Sequence, residues 1–196
     1  MPHLTVIGGP NGSGKSSITR MLKFEGRDNL LDPDAVARRI NPADLRLASI
    51  EAAREVIRRT REYLRDGESF AIETTLSNAS IIETMRQARE RGFVVRLVYV
   101  CVENPDWNIE RVRERVANGG HDVPDEDVRR RYDRSLQNLP AALRLADEAA
   151  LFDNTRAAAR KVLEVRDGVI VWRAEDEPEW VARVVAALAG AGHTPS

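Results

Sequence analysis

The residues best equipped for chemistry lie near the start of the chain, in the segment Gly9-Pro10-Asn11-Gly12-Ser13-Gly14-Lys15-Ser16. Its spacing fits G-x-x-x-x-G-K-[ST], a loop whose backbone N–H groups converge on phosphate oxygens. The glycines free the backbone to turn inward, and the helix that follows adds the positive end of its dipole. In such a loop Lys15 reaches the β- and γ-phosphates and the Ser16 hydroxyl holds Mg²⁺. The predicted nucleotide contacts are Gly9, Pro10, Asn11, Gly12, Ser13, Gly14, Lys15, Ser16 and Ser17, and the predicted cofactors are ATP and Mg²⁺.

Three acids stand where apolar runs end: Asp34 after Leu30-Leu31, Glu73 after Phe70-Ala71-Ile72, and Glu103 after Val98–Val102. In a parallel sheet, strand ends face the same side as the glycine loop, so all three are expected to converge there. One acid there can take a proton from an attacking hydroxyl, and another can orient substrate or a metal-bound water. Asp34 can also serve as a helix cap, because Ala35–Ile40 reads as a helix; the two roles are compatible. Glu73, Thr74 and Thr75 form a group that suits a neutral polyol or sugar, which both donates and accepts hydrogen bonds.

Cations form the third group. Arg111 and Arg115 precede Asn118-Gly119-Gly120-His121, and Arg129, Arg130, Arg131 and Arg134 follow it. Two glycines and Pro124 between helical stretches predict a hinged cover over residues 115–134, whose arginines neutralise charge on a transferred phosphoryl group. The alternative is a solvated helix paired with Glu126, Asp127 and Asp133. His121 is expected to be a hydrogen-bonding loop residue rather than a catalyst.

These groups must be held by regular elements. Leu4–Ile7 precedes the glycine loop as a strand, and Ser17–Leu22 follows it as a helix. Residues Pro42 to Arg65 read as one long helix whose inner face is Ile50, Ala53, Ile57, Thr60 and Leu64, with arginines and glutamates on a solvated face. Strand Ser69–Ile72, helix Ile81–Arg91 and strand Phe93–Val102 come next, the last apolar enough to be central. A helix over Asp106–Val116 and one from Asp125 follow, the second interrupted by Pro140. Ala149–Phe152 reads as a fifth strand. Lys161–Trp172 reads as a hairpin turning at Asp167-Gly168 in type I′ geometry. The last helix spans about Pro178–Leu188, and residues 189–196 are expected to fray. The alternation predicts an α/β P-loop NTPase fold: one domain over 1–196 with a mainly parallel sheet, a helical lid and a C-terminal hairpin and helix over 161–190.

Composition narrows the function. A net charge of −1 gives no global pull toward nucleic acid or an anionic membrane. No apolar run approaches a membrane span, and Met1-Pro2-His3 leads straight into a strand without a signal peptide, so a cytoplasmic location is expected. A single cysteine, Cys101, excludes an internal disulfide. There is no [NT]-K-x-D guanine-reading motif and no L-S-G-G-Q signature, which disfavours GTPases and transport ATPases.

Taken together, the loop Gly9–Ser16, the turn Asp32-Pro33-Asp34, Ile72-Glu73-Thr74-Thr75-Leu76, the arginine-flanked lid and Asp153-Asn154-Thr155 resemble the zeta toxin family of P-loop kinases. The combination of Glu-Thr-Thr-Leu-Ser with Gly-Gly-His-Asp-Val-Pro and Arg-Arg-Tyr is similar to its shorter members. The resemblance implies an ATP- and Mg²⁺-dependent kinase that phosphorylates a sugar hydroxyl of UDP-N-acetylglucosamine and is held by an antitoxin protein. It implies Asp34 as general base, Glu73 and Thr75 as substrate contacts, and Arg115 with Arg130 or Arg131 on the γ-phosphate; Thr74, between the two contacts, is expected to line the acceptor with them. The alternative is a nucleotide-binding regulatory or antitoxin-binding module with little turnover, or a kinase for another small metabolite. No nucleic-acid or membrane partner is implied.

Overall fold

A computed structural model describes residues 1–120 and 122–190, apart from the side chain of Arg46. The expectations for His121 and for the frayed end at 191–196 lie outside the described residues. Seven strands form one sheet in the order β2-β3-β1-β4-β5-β6-β7. The first five in that order, β2 (Leu30–Leu31), β3 (Phe70–Thr74), β1 (His3–Gly8), β4 (Val94–Cys101) and β5 (Glu148–Asp153), run parallel. β6 (Arg160–Arg166) and β7 (Val169–Arg173) add on antiparallel. Their turn has positive φ at both Asp167 (49°) and Gly168 (75°), the type I′ signature that the Asp-Gly pair predicts.

β1 lies between β3 and β4, so Leu4, Val6 and Ile7 are fully buried. Together with Leu97, Tyr99 and Leu151 they give the apolar centre on which the site rests; burial of this kind is the main stabilising contribution to a domain. Helices α1 (Lys15–Met21), α2 (Pro33–Ile40), α3 (Leu45–Asp66), α4 (Ala79–Glu90), α5 (Pro105–Ala117), α6 (Asp125–Leu145) and α7 (Glu179–Gly190) cover the sheet. α2 and α5 each begin with proline at the first turn behind a capping side chain, Asp32 and Asn104, which accept from the N–H of Asp34 and Asp106.

Two elements differ from the sequence reading. α6 runs through Pro140 without a break; Leu139, Pro140, Ala142 and Leu143 are all buried, and that packing offsets the hydrogen bond the proline cannot donate. α3 starts at Leu45 rather than Pro42, after a turn in which Asn41 Oδ1 accepts from the N–H groups of Ala43 and Asp44. Its inner face is also different. Ala48 and Ala52 are 2% and 1% exposed, with Thr60 and Leu64 also buried, whereas Ile50 and Ile57 are 66% and 50% exposed. The small inner residues let α3 approach α2 closely, around Ala37, Ala48 and Ala52.

Candidate nucleotide and phosphoryl-transfer site

The glycine loop spans the gap between β1 and α1. Lys15 is buried, and its ammonium donates to the carbonyls of Gly9 (2.7 Å) and Pro10 (2.9 Å). Burial lowers its pKa from the ordinary lysine value; the charges of Glu73, Asp34 and Asp32 oppose that shift, and Arg115 adds to it. The lysine therefore sits in one field with Asp34 and Glu73, two of the three candidate acids, and with Arg115.

Neighbouring elements clamp the loop. Gly12 has φ +73°, and a Cβ there would lie 2.5 Å from the carbonyl oxygen of Asn108 on α5. Gly14 has φ +93°, and a Cβ there would meet the Asn154 side chain at 2.2 Å. Only glycine satisfies both the left-handed backbone and the close approach. Asn108 donates to the carbonyl of Asn11, and Asn154 to that of Ser13 (2.9 Å). Arg111 Nη2 in turn donates to the Asn154 carbonyl (2.8 Å). Asn108 and Asn154 were not identified as clamps from the sequence. A buried asparagine inside a helix leaves no periodic mark, although Asn154 does fall in the Asp-Asn-Thr run at the end of β5.

The acids divide. Ser16 Oγ donates to Glu73 Oε1 at 2.9 Å, and Thr19 Oγ1 lies 3.4 Å from Glu73 Oε2. Burial raises the Glu73 pKa; Asp32 and Asp34 also raise it, while Lys15 and the Ser16 hydroxyl pull it down. Asp32 takes the capping role at α2, receiving the Asp34 N–H at 2.9 Å. The exposed Asp34 carboxylate makes no hydrogen bond among the described residues and stays available at the head of α2. Glu103 does not join this group. Its Oε1 accepts the N–H of Glu179 at 3.0 Å and so holds the start of α7.

Beyond Glu73 the chain makes a tight, buried turn. Leu76 is fully buried at φ 57°, a left-handed conformation that a branched residue rarely adopts. Its N–H donates to Thr74 Oγ1 (3.1 Å), its carbonyl accepts from Asn138 of α6 (2.9 Å), and Thr75 Oγ1 lies 2.7 Å from Ser77 Oγ.

The arginines also separate. Arg131 Nη1 donates to Asn11 Oδ1 at 3.1 Å, reaching the loop from α6. Arg130 points outward and pairs with Asp127 at 2.7 Å, while Arg129 pairs with Asp106. Arg115, near the end of α5, is half-buried, and its carbonyl accepts the N–H of Gly120 at 2.9 Å. α5 and α6 share a small core of Ile109, Val112, Val123 and Val128, which fixes the two helices against each other.

An uncharacterized protein of Haemophilus influenzae is 38% identical over 124 residues, which is 63% of this chain and 88% of that protein. A crystal structure of AvrRxo1-ORF1:-ORF2 with ATP superposes on 100% of this chain with TM-score 0.71 at 16% identity. The match covers 66% of that chain, so this chain spans just under two thirds of its length. A structure from the PezAT chromosomal toxin–antitoxin system of Streptococcus pneumoniae gives TM-score 0.54 at 15% identity over 96% of this chain and 78% of that one. These likenesses agree in fold with the zeta toxin resemblance. The sequence profile described as AAA domain matches residues 4–139. Because that span is more than half of its residues, the chain belongs to the AAA domain family, on a P-loop fold shared with both of those structures.

Proposed function

We propose that this protein is an ATP- and Mg²⁺-dependent small-molecule kinase of the zeta toxin type, acting on a hydroxyl of a sugar nucleotide such as UDP-N-acetylglucosamine. The observation that carries the proposal is the Ser16–Glu73 contact beside the buried Lys15, with Asp34 close enough to act on that lysine's charge. The residues fit the nucleotide: the glycine loop is left-handed at Gly12 and Gly14, and Ser13 Oγ is buried with no hydrogen-bond partner among the described residues. They also fit magnesium, which keeps most of its waters and needs few protein oxygens. When bound, Mg²⁺-ATP supplies the phosphoryl group and neutralises its charge.

The chain's own residues have distinct tasks. Lys15 uses two of its three protons on loop carbonyls and keeps one for a phosphate oxygen. Ser16 would hold the metal when it is bound, and Glu73, which accepts from the Ser16 hydroxyl, would orient that hydroxyl or a water on the metal. Asp34 takes the proton of the acceptor hydroxyl. Arg115 and Arg131 stabilise charge on the transferring group, while Arg130 needs to leave Asp127 to take part. Thr74 and Thr75, in the turn held by Leu76, line the acceptor side with Glu73. ATP in the AvrRxo1 structure and the two-component toxin system of PezAT support the nucleotide and an antitoxin-like protein partner, respectively.

The test is a phosphotransfer assay by mass spectrometry on UDP-N-acetylglucosamine and a panel of sugars and nucleosides. Wild type is expected to add one phosphate to a sugar ring. Lys15→Ala is expected to lose at least about a hundredfold in rate. Asp34→Asn is expected to keep ATP affinity and lose roughly 10²–10⁴-fold in rate, the range for removal of a general base. Normal transfer by Asp34→Asn would remove Asp34 from the reaction. Phosphate found only on nucleosides would remove the sugar acceptor.

A further inference from the structure

α3 carries a second apolar face that the fold does not use. Leu47, Ile50 and Ile57 are 73%, 66% and 50% exposed, while alanines occupy the inner side of the same helix. Their outward line continues through Arg54 and Arg61, giving Leu47, Ile50, Arg54, Ile57 and Arg61 at alternating steps of three and four residues. That spacing forms a straight seam about 21 Å long, the kind against which a second helix packs. Arg58 is satisfied by Glu55 and Glu62, but Arg54 and Arg61 have no acidic partner among the described residues. Two shallow grooves follow the seam, one past Ile57 and Arg61 and one past Ile40 and Arg54; no residue of the glycine loop lines either.

We infer that this face of α3 docks an amphipathic helix of another protein, one that presents aliphatic side chains to Leu47, Ile50 and Ile57 and carboxylates to Arg54 and Arg61. A second copy of this chain fits poorly, because an antiparallel pairing centred on the seam sets Arg54 against Arg54 and a parallel one aligns every arginine with itself. Residues 191–196 cannot fill the role, since Ala-Gly-His-Thr-Pro-Ser holds no acid and no large apolar side chain. Aliphatic contact supplies the affinity and the charges fix register and exclude basic partners. The inference does not depend on the kinase reading, and its test uses no nucleotide.

The probe is a synthetic helical peptide of about 20 residues, with leucine and isoleucine at three- and four-residue steps and glutamates flanking them. A second peptide carries lysine at each glutamate position. Binding to the full chain is read by fluorescence anisotropy, and the oligomeric state of the chain alone by sedimentation. The acidic peptide is expected to bind with a Kd on the order of micromolar and the basic one at least about tenfold more weakly. Ile50→Ser with Ile57→Ser is expected to weaken the acidic peptide at least about tenfold. Arg54→Glu with Arg61→Glu is expected to reverse the preference between peptides, a result that general loss of structure cannot give. All four positions are exposed, and melting temperatures check the fold. Equal binding of the two peptides, no binding, or no response to either double variant overturns the inference. So does a dimer of the free chain that the isoleucine variant abolishes, because the face then belongs to a second copy.

Discussion

A carboxylate that accepts from a serine hydroxyl and feels the charge of a buried ammonium is stabilised by both, yet Glu73 is shifted toward its protonated form because burial outweighs them. Its pKa in the folded chain is above that in the unfolded chain. Below the ordinary value of 4.5 both states are protonated and Glu73 has no effect on stability. As pH rises through the raised value, the folded state bears an ionised, desolvated group, and stability falls. Glu73→Gln should therefore melt above wild type at pH 7–8 without added Mg²⁺ or nucleotide, and the gap should close as pH falls below about 4.5. With Mg²⁺-ATP present the order should reverse, since only the carboxylate is drawn into the metal's field. A variant that melts lower at every pH by the same amount would mean that the bonds to Ser16 and Thr19 outweigh desolvation.

Elements hold these residues through a few buried polar contacts. The bond from Asn138 of α6 to the Leu76 carbonyl ties α6 to the turn after β3. Asn138→Ala leaves that carbonyl without its partner and should cost about 1–3 kcal/mol. Hydrogen exchange should rise over residues 74–77 before it rises in β3. Unchanged exchange there would show that burial of Leu76 alone holds the turn. The strand–loop–helix start and the Asp-Gly hairpin were legible in the sequence, because each is set by neighbouring residues; the cap of α2 was not, since it is Asp32 rather than Asp34 that accepts the first-turn N–H. The path of α6 through Pro140 was not, because it depends on what the helix packs against. The orientation of α3 was hidden for a related reason: large residues and small ones both recur at helical spacing, and the periodicity does not say that alanines turn inward.

At the scale of the whole molecule, strand order decides which chemical groups meet. The order β2-β3-β1 places the ends that carry Asp34 and Glu73 on one side of the glycine loop, whereas β4, which leads to Glu103, lies on the other. Pattern reading locates strands and their ends but not their sequence across a sheet, so the divergence of Glu103 could not be read in advance. The same order sets Cys101 on β4 between β1 and β5, fully buried, with its thiol pushed up to about 12 mainly by burial. It is the chain's only cysteine. An alkylating reagent at neutral pH thus has a single target, which reacts only when the sheet parts. Labelling of native protein becomes a clock for that parting: it should run at least about a thousandfold slower than labelling of the unfolded chain and slow further with Mg²⁺-ATP. Fast labelling under native conditions would reveal a sheet that opens at its centre without unfolding, and the ratio of the two rates would give the free energy of that opening.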